Sequence, residues 1–376
     1  MKTKKLFTLL IIMFSFAAAN AQNEDSQSDT SQIVVPTKIV VDTTRTDSLV
    51  AAEGQEAQLT YNAGIDYFTA EKYQKAIAKF TQALDLKPDF EKAYLNRGSS
   101  YFQMNQLEEA EKDLKKSLEL NPDLKSAYYM LGIIKMRQEN YRLAETNLLK
   151  ANEMGYDNPR MNYYLGVIGF MNEKYEDALR YFNKALDKEK NDAMIYNDRA
   201  STHRKLGNLD KAIADYGMAI DIDNDNPMYY ANRGSVYRLQ EKYEKAIDDY
   251  NAALEIDRDY KLALNNRGIA RYNLKQYEEA INDFEEVLII DREYTFAYNN
   301  KGLAYYKLGK YEEAIDAYTK AIVLDPDYGY AYLHRGNAKE MLRKFDDACV
   351  DWQKAAELGV DAAETYLYYC NDEDNQ

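Results

Sequence analysis

Few side chains in this chain of 376 residues are of the types that do chemistry, and their spacing argues against catalysis. The two histidines, His203 and His334, stand too far from the only cysteines, Cys349 and Cys370, to share a metal with them. Gly309-Lys310 matches the end of a phosphate-binding loop only in part, since the upstream glycine and the following Ser or Thr are missing. Acidic pairs such as Glu278-Glu279 and Glu312-Glu313 open helical runs, where carboxylates favour the helix dipole, so they read as solvated helix starts rather than paired catalytic acids. Neither an enzyme nor a cofactor is expected. The residues that recur in phase are asparagines, whose amides both donate and accept hydrogen bonds, and large aromatic or apolar groups. Such residues suit capture of a polypeptide.

The element that must position them is a repeat. Thr295 to Tyr328, TFAYNNKGLAYYKLGKYEEAIDAYTKAIVLDPDY, carries apolar residues at helical spacing as far as Leu308. Gly309 then breaks the run, and a second helical period ends at Asp325-Pro326-Asp327, so the unit is a helix hairpin. Nine such units of 34 residues follow one another without insertion or deletion, starting at Ala57, Glu91, Lys125, Pro159, Ala193, Pro227, Lys261, Thr295 and Gly329. The eighth position is Gly in all but the fifth unit, where it is Ala200. Alanine occupies the twentieth in all of them, from Ala76 to Ala348, while the twenty-fourth is bulky, as in Phe80, Leu148, Tyr318 and Trp352. An interior glycine costs a helix about 1 kcal/mol relative to alanine, so its recurrence predicts close approach of two helices. The bulky residue fills the space beside it.

This pattern resembles the tetratricopeptide repeat family, whose signature sets Gly, Tyr, Ala, Phe and Pro at fixed offsets. The resemblance covers 57–362. It departs from the signature in lacking the first-helix Trp, and in keeping the terminal Pro only as Pro88, Pro122 and Pro326. It implies an all-α, right-handed superhelical solenoid of nine hairpins, with first helices lining a concave groove, second helices on the convex face, and a C-terminal capping helix. Protein binding is the function it implies. The Lys and Asn clamp with which some members hold chaperone C-termini is not expected here, because Lys92 and Asn96 are followed by Ser126 and Met130.

Positions two, five, six, nine, twelve and thirteen of each first helix are expected to face that groove. The sixth holds Asn62, Asn96, Asn232, Asn266 and Asn300, which is similar to the asparagine ladder of some helical-repeat proteins that pairs with an extended peptide backbone. The alternative is that these asparagines bond the neighbouring repeat or their own helix. Asn265 and Asn299 at the fifth position join the candidate set, and Phe296, Leu303 and Tyr306 share the helix of Asn300. In repeats three and four, Tyr129, Met130, Ile133, Tyr163, Tyr164 and Phe170 are expected to present an apolar surface, a feature that marks an interaction site. Self-association, or closure by the tail at 32–41, would explain the same surface.

Residues 1–21 read as a cleavable signal peptide, with a basic head of Lys2, Lys4 and Lys5, an apolar run from Leu6 to Ala19, and small residues before a cut between Ala21 and Gln22. The run is too short to span a bilayer, so no stable membrane insertion is expected, and a periplasmic or secreted location follows. Residues 22–56 read as a disordered tail or linker. Residues 363–376 read as a capping helix and polar tail. With 63 acidic against 48 basic residues, the chain repels phosphate backbones, and nucleic acid is not an expected partner. Cys349 and Cys370 fall on helices expected to touch, which suits either a disulfide stapling the cap or two buried thiols. The function expected is a scaffold of the bacterial cell envelope that binds a protein or peptide; the alternative is a regulatory or substrate-presenting subunit of an envelope enzyme.

Overall fold

Helix-forming runs broken at a constant interval leave the chain one local solution, a succession of hairpins. The computed structural model describes residues 52–370, in which nineteen α-helices and one 3-10 turn follow the 34-residue phase. Nine helix pairs run from Ala52–Thr69 with Tyr73–Leu86 to Gly329–Met341 with Phe345–Glu357, and a short helix, Glu364–Cys370, ends the array. The first helix starts at Ala52, ahead of the first unit at Ala57, because Ala and Glu there are good helix formers. The expected signal peptide at 1–21 and most of the expected tail at 22–56 lie outside the described residues.

The described chain divides into two compact units, one ending at Leu206 and the other beginning at Gly207. The unbroken repeat phase does not mark this division. Within each unit the small and bulky positions meet as expected. A Cβ placed on Gly64 would stand 2.5 Å from the ring of Phe80, and one on Gly302 would stand 2.6 Å from that of Tyr318. The same clash recurs at Gly268 with Phe284 and at Gly336 with Trp352. Glycine is therefore needed there for close packing, which outweighs its helix cost.

Two local devices set the hairpin and the link to the next one. At position fifteen, between the paired helices, φ is positive: +58° at Glu241, +63° at Lys275 and +74° at Gly309. The following amide then bonds back to position eleven, as Lys310 N–H does to the Tyr305 carbonyl at 3.0 Å, a six-to-one closure that ends a helix. In repeats two and five to eight the Asn or Asp at position thirty-one accepts from the amide two residues on, as Asp325 does from Asp327 at 3.0 Å. This Asx turn redirects the chain into the next repeat.

Arginines at position seven staple the repeats further. Arg335 donates to both carboxylate oxygens of Asp351, at 2.9 and 2.7 Å, and to the Thr319 hydroxyl of the preceding repeat at 3.1 Å. Arg97 makes the same bonds to Asp113 and Thr81, and Arg267 to Asp283 and Asn251. Arg233 binds Asp249 alike. Burial pushes the Asp249 carboxyl up even as Arg233 pulls it down, yet the two-pronged contact at 2.9 and 2.7 Å marks an ionised pair. At the end of the array the terminal cluster of Leu333, Trp352 and Val360 is closed by Tyr366, stacked on Trp352 at 4.8 Å, and by a disulfide between Cys349 and Cys370 with Cα atoms 5.7 Å apart.

Candidate functional site

The first helices approach one another more closely than the groove expectation assumed. Consecutive first helices touch along repeats six to nine, so rows five, six and nine fall into the contact between them. Asn96, Asn265, Asn266, Asn299 and Asn300 are all buried, and only Asn62 and Asn232 keep partial exposure.

Asn96, Asn265, Asn299 and Asn300 bond across repeats, from position five of one to position six of the next. Asn96 Nδ2 donates to the Tyr61 hydroxyl at 2.8 Å, and Asn300 Nδ2 contacts Asn265 Oδ1 at 3.4 Å. Asn299 Oδ1 accepts from His334 Nδ1 at 2.9 Å, and Tyr163 donates to Asp198 at 3.0 Å in the same register. Each bond ties a buried polar group of one repeat to the next, although Asn299 Nδ2 is left without a hydrogen-bond partner among the described residues. Their geometry is that of the alternative reading, a bond to the neighbouring repeat.

The apolar surface expected in repeats three and four is likewise interior. Tyr129, Met130, Ile133, Tyr163 and Tyr164 are buried in one cluster, with Ile133 fully enclosed, and Phe170 packs against it half-buried. The helices Lys125–Arg137 and Met161–Met171 are apolar on most faces because most faces are covered. Burial pushes the hydroxyls of Tyr129 and Tyr163 well above the ordinary phenol range, and that of Tyr164 to about 12, so all three stay neutral.

The groove-side exposure that remains lies at positions two, twelve and thirteen, three points on one helical face. In repeats six to nine position two is Met228, Leu262, Phe296 and Tyr330, each half-buried. Position twelve there is Arg238, Tyr272, Tyr306 and Glu340, also half-buried. Tyr272 and Tyr306 meet Tyr277 and Tyr311 edge-on, at 5.5 and 5.4 Å, which holds their rings in place. In repeats one to four position two is polar or charged: Gln58, Lys92, Ser126 and Arg160. At position two, apolar character thus begins with Met194 of repeat five and runs to repeat nine, while Phe68 of repeat one and Phe170 and Met171 of repeat four keep exposure at positions twelve and thirteen. Phe296 and Tyr306 keep the exposure expected of them, whereas Leu303 is buried.

Among the described residues no group of three or more His, Cys, Asp or Glu is placed to hold a metal, and no helix is long and apolar enough to cross a membrane. Hairpins in a regular array with a half-apolar inner row define a helical-repeat binding protein. Tetratricopeptide repeat profiles match residues 91–124, 227–260, 262–294 and 295–328, with related ones matching 129–193, 181–214, 64–105 and 200–240. The chain belongs to the tetratricopeptide repeat family, whose members mediate protein and peptide binding.

Solved structures agree on the fold. A tetratricopeptide repeat protein from Parabacteroides merdae is 21% identical over 65% of this chain and 97% of its own, with a TM-score of 0.53. The Cut9-Hcn1 hetero-tetramer of the APC/C is 15% identical over 88% of this chain and 79% of its own, at 0.52. YrrB, a TPR protein with an unusual peptide-binding site, is 28% identical over 49% of this chain and 95% of its own, at 0.45. The comparison with curated proteins gave no match.

Proposed function

We propose that the protein is a non-catalytic interaction scaffold that takes an extended segment or a helix of a partner polypeptide along the first helices of repeats six to nine. One observation carries this reading: Met228, Leu262, Phe296 and Tyr330 keep exposure in an unbroken row, while rows five, six and nine of the same helices are buried apart from Asn232 and Ile269. A half-exposed apolar row on consecutive rigid helices is a pre-organised surface, and binding to it costs little ordering of the protein.

The cell envelope remains the proposed location. Its support is the signal-like sequence at 1–21 together with the Cys349–Cys370 disulfide, since such bonds persist in oxidising compartments.

Selection of a random peptide library on the full chain tests the binding surface. Peptides are expected to be enriched, and Leu262→Asp with Phe296→Asp is expected to weaken the best of them about ten-fold or more, with the melting temperature nearly kept. No enrichment, or equal binding to the variant, would refute the proposal.

A further inference from the structure

Buried carboxylates in this fold are paired with cations almost as a rule. Asp113 faces Arg97, Asp249 faces Arg233, Asp283 faces Arg267 and Arg271, and Asp351 faces Arg335 and Lys339, all within 2.9 Å. Glu340 departs from the rule. It is half-buried at position twelve of repeat nine, and among the described residues no cation or hydrogen-bond donor pairs with its side chain. Desolvation raises its pKa with no cation acting against the rise. A carboxylate held away from water without a counter-charge lowers stability, so its place needs another reason.

Its surroundings suggest one. Tyr272, Tyr306 and Glu340 occupy the same position on three first helices, each touching the next. Tyr306 and the cap residue Tyr366 both feel the Glu340 charge, and Tyr272 feels Tyr306. Edge contacts with Tyr277 and Tyr311 fix the two tyrosine rings, and stacking on Trp352 fixes Tyr366. Packed against Tyr272 and Tyr306 is Tyr318, fully buried, whose hydroxyl has no hydrogen-bond partner among the described residues. The equivalent residues of repeats six and nine do have partners, Tyr250 with Ser235 and Trp352 with Asn337, where repeat eight has Leu303. An unpaired anion thus sits beside the rings of Tyr306 and Tyr366, at the end of a row of aromatic side chains.

We propose that this corner of repeats seven to nine receives a lysine or arginine side chain carried on an apolar, extended segment of a partner polypeptide. The cation sits against Glu340, and its methylene stem lies along Tyr272 and Tyr306. Aromatic faces attract cations, and a carboxylate adds a direct ion pair that the protein itself leaves unmade. The row of Leu262, Phe296 and Tyr330 takes the apolar residues on either side. This assignment rests on the groove reading above and adds the charge that a ligand must carry.

The experiment is the same random peptide library selected in parallel on the wild-type chain and on Glu340→Lys. Wild-type protein is expected to enrich peptides with Lys or Arg at one position among apolar residues, and Glu340→Lys to enrich Asp or Glu there instead. A shared consensus for both proteins, or wild-type ligands without a basic residue, would overturn the cation site while leaving groove binding intact. Failure of any peptide to be enriched would instead sink the groove reading itself. A second variant guards against misfolding. Glu340→Gln, which removes an unpaired charge, is expected to melt at the same or a higher temperature, yet to bind the best wild-type peptide about ten-fold more weakly. It should bind a norleucine-for-lysine version of that peptide as the wild type does. Equal loss for both peptides would assign Glu340 to the fold and refute the proposal.

Discussion

At the residue scale the bond between Asn299 and His334 shows how a polar residue counted as a binding candidate became part of the fold. His334 is enclosed between Tyr318 and Tyr330, and burial pushes its pKa down from 6.5 to about 3. The neutral ring carries its proton on Nδ1 and donates it to Asn299 Oδ1. The linkage sign is definite: between about pH 3 and 6.5 the unfolded chain binds a proton that the folded chain refuses. Stability from this site is therefore full above pH 6.5 and falls as the pH drops, by at most about 1.4 kcal/mol per unit. His334→Asn, which places there the residue found in repeats six to eight, should flatten the dependence of melting temperature on pH between 4 and 6.5. An unchanged slope would move the effect to the carboxylates.

At the scale of elements the hairpin turn carries a cost that most repeats accept. Position fifteen is left-handed at Glu71, Asn105, Glu139, Glu173, Glu241, Lys275 and Arg343, and glycine only at Gly207 and Gly309. A side chain in that conformation is strained by roughly 1–2 kcal/mol, part of which glycine gives back as chain entropy. Glu241→Gly or Lys275→Gly should raise stability by about 0.5–1 kcal/mol, and Gly309→Ala should lower it by a similar amount, as read in thermal or urea unfolding. Loss of stability in both glycine variants would mean that the side chains at this turn contribute more than their strain costs.

Hairpins, turns and the glycine contacts were legible in the sequence because each depends on residues within one repeat or the next. The pairing of position seven with position twenty-three was also present as a recurrence, Arg97 with Asp113 and Arg335 with Asp351, but its meaning needed the geometry. The exposed rows could not be read in advance. Which of positions two, five, six, nine, twelve and thirteen meets water depends on how tightly consecutive first helices pack, and a 34-residue period is compatible with several spacings. Tyr129 and Ile133, expected at a surface, thus belong to the interior, and of the groove-facing candidates Phe296 and Tyr306 keep exposure while Asn299, Asn300 and Leu303 do not.

At the scale of the molecule two apolar surfaces compete for a partner. One is the half-buried row of Met228, Leu262, Phe296 and Tyr330 on the first helices. The other is on the second helices of repeats seven and eight, where Ile289 and Val323 are 78% and 74% exposed at a position that is Asp or Glu in the other repeats. Chain topology alone does not choose between them. The first row does, because it spans four consecutive repeats, is flanked by the ordered rings of Tyr272 and Tyr306, and borders the unpaired Glu340, whereas the second covers two repeats only. Chemical footprinting of the full chain with and without a selected peptide measures this directly. Protection is predicted at Leu262, Phe296 and Tyr330, with Ile289 and Val323 labelled as strongly as in the free protein; protection of Ile289 and Val323 with Phe296 still labelled would contradict the account.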